Sequence, residues 1–384
     1  MNILHILSSD DKYGSAQCFL ELLDYEKHDF RVKPIVVTPK YNDINRTCDE
    51  LGVKNYVVDY AQMQIPKHDS LLLFLLKYIY HTFLYYRKKN RAKKLILQIV
   101  VENHIAVIHT NSSVIDIGSV VAKQAGICNV WHLREFGKLD FNFFAANPFY
   151  LMQMNEEQNV FLSISEMVTQ NWIERGLKQE KITTIYDGVN AKRFVLSEKS
   201  TQADKKIRLV MCGSFCEAKN QKLLVEAIGA LGDREQEKLL LDFYGKTEGS
   251  YFEETKELVN QYGLNDIIRF KGYTENIPQE LAKYDVGIIC SRAEAFGRVT
   301  VEYMMASLCT VASSAGANLE IVEEQCGILY KEGSAQALAK VIENIVNDRV
   351  DYSNYGKRAR TIAIEKYDIN KNAEKIVGLF LANI

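Results

Sequence analysis

The sequence predicts an α/β protein of two doubly wound domains, and three observations carry that expectation. The chain has 384 residues, 47% hydrophobic and 25% charged. That is ordinary globular composition at a length that suits two domains. Residues 3–8 form a short apolar run that passes through a loop holding Gly14 into a helical stretch beginning near Ala16. A strand, a glycine-containing loop and a helix are the opening of a doubly wound sheet. Residues 207–213 then repeat that opening, with a helix expected from about Gln221. The domains are expected at 1–190 and 191–366, with a terminal helical segment at 367–384.

In order along the chain, residues 32–38 and 54–59 read as further strands of the first domain. Residues 66–94 differ in character: an apolar run at 71–76 leads through an aromatic-rich stretch to the basic cluster 87–94. Basic side chains beside aromatic rings suit an anionic membrane surface. The same stretch also reads as an amphipathic helix packed on its own domain, its charges solvated. Residues 106–111 and 129–136 read as strands ending in polar groups, Asn111 in the first and His132, Arg134 and Glu135 in the second. Doubly wound sheets bind ligands at such strand ends. Residues 161–165 repeat the pattern, and their serines also suit a cap for a helix from Glu166. Residues 196–206 are polar enough for a linker. Strands are expected again at 239–245, 268–272, 284–290 and 309–314, and the chain past Glu332 reads as helical to about Lys366.

Bulk properties exclude several classes. A net charge of −2 offers no basic surface for nucleic acid. The eight cysteines include no C-x-x-C pair, so reduced buried thiols are expected rather than disulfides or a metal centre. Asp10 and Asp11 form a loop pair without a metal-binding context. The start lacks the charged and long apolar regions of a signal peptide, and no stretch reaches transmembrane length. A cytoplasmic protein, peripheral on the inner face of the membrane if 66–94 docks there, is the expectation.

The most informative stretch is 291–302, Ser-Arg-Ala-Glu-Ala-Phe-Gly-Arg-Val-Thr-Val-Glu. It places Glu294 in a strand-to-helix turn and Glu302 about one turn into the following helix. Gly297 allows close backbone approach, and the first N–H groups of a helix favour an anion. A phosphate at the helix start, with a carboxylate on either side for sugar and ribose hydroxyls, fits a nucleotide-sugar. The bare pair of carboxylates is common; Phe296-Gly297 inside it and the turn Gly316 to Glu320 after it are more specific.

This stretch resembles the E-x7-E signature of retaining GT-B glycosyltransferases, family 4, and its wording is similar to bacterial capsule and exopolysaccharide enzymes. The resemblance covers nearly the whole chain, most specifically 207–320. It implies two Rossmann-like domains facing an interdomain cleft, with the last helix crossing back to the first domain. It implies transfer of a sugar, UDP-linked on frequency, to a hydroxyl of a glycan or lipid-linked oligosaccharide. No cofactor or metal is implied, since the nucleotide-sugar is a substrate. The segment at 132–136 resembles the family's H-x-R-E-F, which puts His132 on the sugar and acceptor side with Asn111, Arg134 and Glu135. Glu294 would hold sugar hydroxyls and Glu302 the ribose, and Lys219 would stabilise the departing diphosphate. Gly213, Ala295, Phe296, Gly297 and Val299 would line the donor, with Tyr273 and Thr274 beside the base. Gly14 matches the family's Gly-rich loop and equally suits a plain turn. Ser214 stands where the family usually carries Arg, a loss of a bidentate cation for which Arg298 is the substitute on offer. A glycosidase, a nucleotide-sugar epimerase and a non-catalytic GT-B partner are the competing classes; Ser214 alone favours the last.

Overall fold

The computed structural model describes residues 1–8, 14–66, 71–137, 143–196 and 206–384. It divides into two compact units, Met1–Gly188 with Ile369–Ile384, and Val189–Asp368. The Asp10-Asp11 loop and most of the expected linker lie outside the described residues.

Unit 1 begins β1 (Asn2–Leu7), α1 (Ser15–His28), β2 (Lys33–Thr38), α2 (Asp43–Leu51), β3 (Lys54–Val57), β4 (Gln64–Pro66) and α3 (Leu71–Glu102). It continues β5 (Ile105–Asn111), α4 (Ile117–Ala125), β6 (Cys128–Leu133), β7 (Phe143–Ala145), α5 (Tyr150–Met154), β8 (Asn159–Ser163), α6 (Glu166–Glu174) and β9 (Ile182–Thr184). Seven strands form one parallel sheet, in the order β3-β2-β1-β5-β6-β8-β9. Steps outward from β1 in both directions make it doubly wound. Helix starts follow local chemistry. Asn42 caps α2 by accepting from Ile44 and Asn45 N–H, and Asn45 returns the bond to the Asn42 N–H. Ser165 caps α6 through the Val168 N–H.

Unit 2 holds β10 (Ile207–Cys212), α7 (Gln221–Gly229), α8 (Asp233–Gln236), β11 (Leu239–Tyr244), α9 (Ser250–Gln261), β12 (Ile268–Gly272) and α10 (Ile277–Leu281). Then come β13 (Val286–Ile289), α11 (Arg298–Met305), β14 (Cys309–Ser313), α12 (Asn318–Ile321), β15 (Gly327–Tyr330), α13 (Ala335–Val346) and α14 (Tyr352–Lys366). Its six strands are parallel in the order β12-β11-β10-β13-β14-β15. Order reverses between β10 and β13, the switch point at which such sheets bind ligands. Strands buried on both faces need continuous apolar runs, and Leu239, Leu241 and Phe243 of β11 pack with Leu209 and Met211 of β10 accordingly. The helical tail expected as one stretch past Glu332 is two helices, broken where Asp348 turns to φ +54°.

The chain then re-enters unit 1 as α15 (Ile369–Leu381). Ile369, Ala373, Ile376, Val377 and Phe380, spaced at helical periodicity, bury their side chains among Ile3, Leu22, Val107 and Val130. Gly188 admits this return: a Cβ there would lie 2.4 Å from the Ile369 Cα.

Candidate functional site

The site in unit 2 is assembled at the carboxyl ends of β10, β13 and β14. After β13 the chain runs through Glu294 to Gly297, which takes φ +75° and opens α11 without a side-chain cap. A Cβ at Gly297 would meet Thr300 Oγ1 at 3.0 Å and Asn318 Oδ1 at 3.3 Å. Those two atoms are themselves bonded, Thr300 donating to Asn318 at 2.9 Å, and Asn318 Nδ2 donates to the Ser313 carbonyl. Ser313 Oγ in turn donates to the Ser291 carbonyl at 2.6 Å. The first turn of α11 is thereby tied to the ends of β13 and β14.

Glu294 is held from behind by backbone. Ala317 N–H donates to its carbonyl at 2.8 Å. Gly316 has φ +56°, and a Cβ there would fall 2.3 Å from the Glu294 carbonyl oxygen, so only glycine fits. In front, Lys219 Nζ donates to Glu294 Oε1 at 2.6 Å. One turn along α11, Arg298 Nε donates to Glu302 Oε1 at 2.9 Å, with both side chains largely shielded. Each carboxylate of the pair therefore carries its own cation. Tyr303 OH accepts the Cys212 N–H at 2.7 Å, joining α11 to the end of β10, and Gly287 leaves room for the Tyr303 ring. Burial pushes the Cys212 thiol up to about 12, which leaves it protonated and unreactive at neutral pH.

The other expected donor residues fall around this frame. Gly213 has φ +149° at the end of β10, and the Lys219 stem passes it. Ser214 is exposed, and its carbonyl accepts from Gln221 Nε2. Ala295 and Val299 are partly buried, and Phe296 is buried with its ring 6.0 Å from that of Tyr367. Tyr273 is exposed, and Thr274 Oγ1 accepts the Asn276 N–H in the turn after β12.

In unit 1 the expected residues are engaged internally. His132 is wholly buried. Arg134 Nη1 donates to Asp187 Oδ2 and its Nε to Asn111 Oδ1, each at 2.6 Å. Glu135 accepts from Ser112 Oγ, Ser113 N–H and Ser113 Oγ. Contact with an acceptor would require Asn111, Arg134 and Glu135 to exchange these partners. Gly14 takes φ +53° before α1, near a shallow depression lined by Leu7, Ser8, Ser15 and Asn111. Burial and the Arg134 charge hold the His132 imidazole well below the usual histidine range, and burial with His5 and Arg134 does the same to His109. Both rings are neutral at neutral pH.

The basic cluster on α3 is not wholly solvated. Lys89 pairs with buried Asp116 at 2.5 Å, where Tyr85 OH also donates, and Lys88 pairs with Asp59 at 2.8 Å. On the preceding turns Leu76, Ile79, Tyr80 and Phe83 are more than half exposed. No helix among the described residues is long and apolar enough to cross a membrane.

Sequence reasoning missed the supports of the site. Thr300, Asn318 and Tyr303 looked like ordinary helix positions, although their polar atoms at apolar spacing were a signal. It also missed His5, a histidine inside an otherwise apolar strand run, and read His109 only as part of a polar strand end.

Residues 192–362 match the family model described as glycosyl transferases group 1. The chain is 24% identical over 233 residues to an N-acetyl-alpha-D-glucosaminyl L-malate synthase of Bacillus anthracis, covering 59% of each chain. It is 26% identical over 211 residues to the lipopolysaccharide core biosynthesis mannosyltransferase LpsB of Rhizobium meliloti, covering 52% of this chain and 60% of the relative. Neither alignment reaches two thirds of the relative's own length. The structure of Anabaena Alr3699/HepE in complex with UDP superposes with a TM-score of 0.82 over the full length of both chains at 19% identity. That likeness shows the fold: two Rossmann-like halves in the GT-B arrangement of elements.

Proposed function

We propose that this chain, whose second unit matches glycosyl transferases group 1, is a retaining, metal-independent glycosyltransferase. It moves a sugar from a UDP-sugar to a hydroxyl of a glycan or lipid-linked oligosaccharide in cell-surface polysaccharide synthesis. The observation that carries this reading is the arrangement at α11: two carboxylates flank a helix start, each already held against a cation. The UDP bound by the HepE structure supports the base, and the name of the Rhizobium relative supports the polysaccharide setting.

In this mechanism the diphosphate meets the first N–H groups of α11, which have no partner within the helix. Donor binding draws Lys219 from Glu294 to the phosphate, and Glu294 turns its freed oxygens to sugar hydroxyls. Glu302 holds the ribose and steers Arg298, which supplies the charge that Ser214 does not. Stabilising the departing diphosphate is the main catalytic term. The leaving phosphate takes the acceptor proton on the same face, so the configuration is retained. From unit 1, His132 serves the sugar and acceptor side once its neighbours move to uncover its ring, which is wholly buried here. The exposed apolar face of α3, with Arg87 and Lys93 beside it, docks the protein on the inner face of an anionic membrane.

Two other readings predict different products. Incubation with UDP-sugars and oligosaccharide acceptors should release UDP only when acceptor is present. Proton NMR of the product should show the donor's anomeric configuration. Release or epimerisation without acceptor would identify an epimerase, and no turnover with any donor would favour the non-catalytic partner that Ser214 suggests.

A further inference from the structure

Three neighbouring strands of unit 1 each place one histidine on the face covered by α1 and α15. His5 lies directly opposite His109 in the β1–β5 register. His132 lies two residues beyond the partner of His109 on β6, and so on the same face. All three are wholly buried, with His5 packed against Phe19 and Phe380 and His109 against Phe380. Their rings contact in a row: His5 Nδ1 to His109 Nδ1 at 2.8 Å, and His109 Nε2 to His132 Nδ1 at 3.0 Å. At one end Glu26 Oε2, from α1, lies 2.9 Å from His5 Nε2. At the other, Arg134 Nη2 points at His132 Nδ1 from 3.5 Å. The rings bond to each other rather than converging on a point, so this is a chain and not a metal site.

Proton counting fixes its direction. Arg134 carries only donors, so His132 Nδ1 is the bare nitrogen, accepting from Arg134 and from His109 Nε2–H. His109 Nδ1 is then bare and accepts from His5 Nδ1–H. Glu26 Oε2 and His5 Nε2, 2.9 Å apart in a dry core, need one proton between them. One atom remains. His132 Nε2–H is a buried donor with no partner among the described residues, and such orphans are rare in native proteins.

We propose that Glu26, His5 and His109 are positioning residues that fix His132 as an Nε2–H donor, aimed at an oxygen of the sugar or acceptor. This rests on the reading above in which His132 meets substrate. The Arg134–Asp187 pair holds the far end of the chain, so the tautomer of His132 is set from both sides.

Nitrogen-15 NMR of histidine-labelled protein at neutral pH tests the chain without turnover. His109 and His132 should both read as neutral Nε2–H tautomers, each assigned by a single substitution. An Nδ1–H tautomer at His109 or His132 would overturn the chain. In Glu26→Leu the His132 tautomer should become mixed, and a tautomer unchanged from wild type would overturn the positioning role of Glu26, as a packing role leaves it in place. Adding a UDP-sugar should then move the His132 Nε2 resonance. The expected tautomers with an unmoved His132, in protein that the UDP-sugar stabilises against heat, would refute its contact with substrate while leaving the chain itself intact.

Discussion

Gly316→Ala tests whether the backbone clamp on Glu294 matters to function, because it removes no functional group. At φ +56° an alanine costs about 1–2 kcal/mol. Its Cβ would also lie 2.3 Å from the Glu294 carbonyl oxygen and 2.6 Å from its nitrogen. Relief needs a shift of roughly 1 Å in the Glu294 backbone, which breaks the bond from Ala317 N–H, worth about 1 kcal/mol. The sum is about 2–3 kcal/mol, or roughly 5–10 °C in Tm for a domain of this size. A displacement of that order at a substrate-positioning group costs on the order of 100-fold in turnover. Gly263→Ala is the matched control: φ is +69° and no atom lies within 4 Å. It should lose about 1–2 kcal/mol and keep its turnover. UDP release and thermal melting of both variants decide the matter. Wild-type turnover in Gly316→Ala would refute the clamp.

Other outcomes follow from the same geometry. Arg298→Ala should cut turnover steeply, on the order of 100-fold as for loss of one transition-state donor, and a near-wild-type rate would dismiss its place as the second cation. Because the fold keeps His109 and His132 neutral well below the usual range, the unfolded chain binds two protons that these rings refuse. Their contribution is complete above about pH 6.5 and is lost as pH falls below it, at up to about 2.7 kcal/mol per pH unit. His132→Asn should halve that slope in chemical denaturation below about pH 6.5, and an unchanged slope there would contradict their neutrality. Replacing Arg87, Lys88, Lys89 and Lys93 with glutamine should abolish co-sedimentation with anionic liposomes; retained binding would sink the membrane reading. Lys89→Gln alone should also cost stability, since it leaves Asp116 buried without its cation.

Much of the framework was legible because buried parallel strands need apolar runs, and those runs mark β1, β5, β10, β11 and β14 within a residue or two. The donor-side carboxylates were legible for a related reason: Glu294 and Glu302 flank a glycine between a strand and a helix. Contacts across long sequence separations were not legible. Nothing near Glu294 points to Lys219, 75 residues away, and nothing at residue 5 points to His109. The antiparallel pair β4–β7 is three residues per strand, too short for any periodicity to show. The break between α13 and α14 is marked only by Asn347-Asp348, a pair that tolerates the left-handed region but carries neither the Gly nor the Pro that usually ends a helix. Reading 87–94 as one solvated cluster failed at Lys89 because its partner, Asp116, lies on the loop before α4.

The central claim is that α11 and its two carboxylates hold a nucleotide-sugar, and thermal melting tests it most directly. Wild type and Glu302→Ala would be melted with UDP, GDP, ADP and their common sugar conjugates. A ligand that binds only the folded state, at about 100-fold over its Kd, adds about 2.7 kcal/mol. UDP and UDP-sugars should clearly raise the Tm of wild type, and the rise should be lost in Glu302→Ala. No rise with any nucleotide, or an equal rise in both proteins, would contradict it.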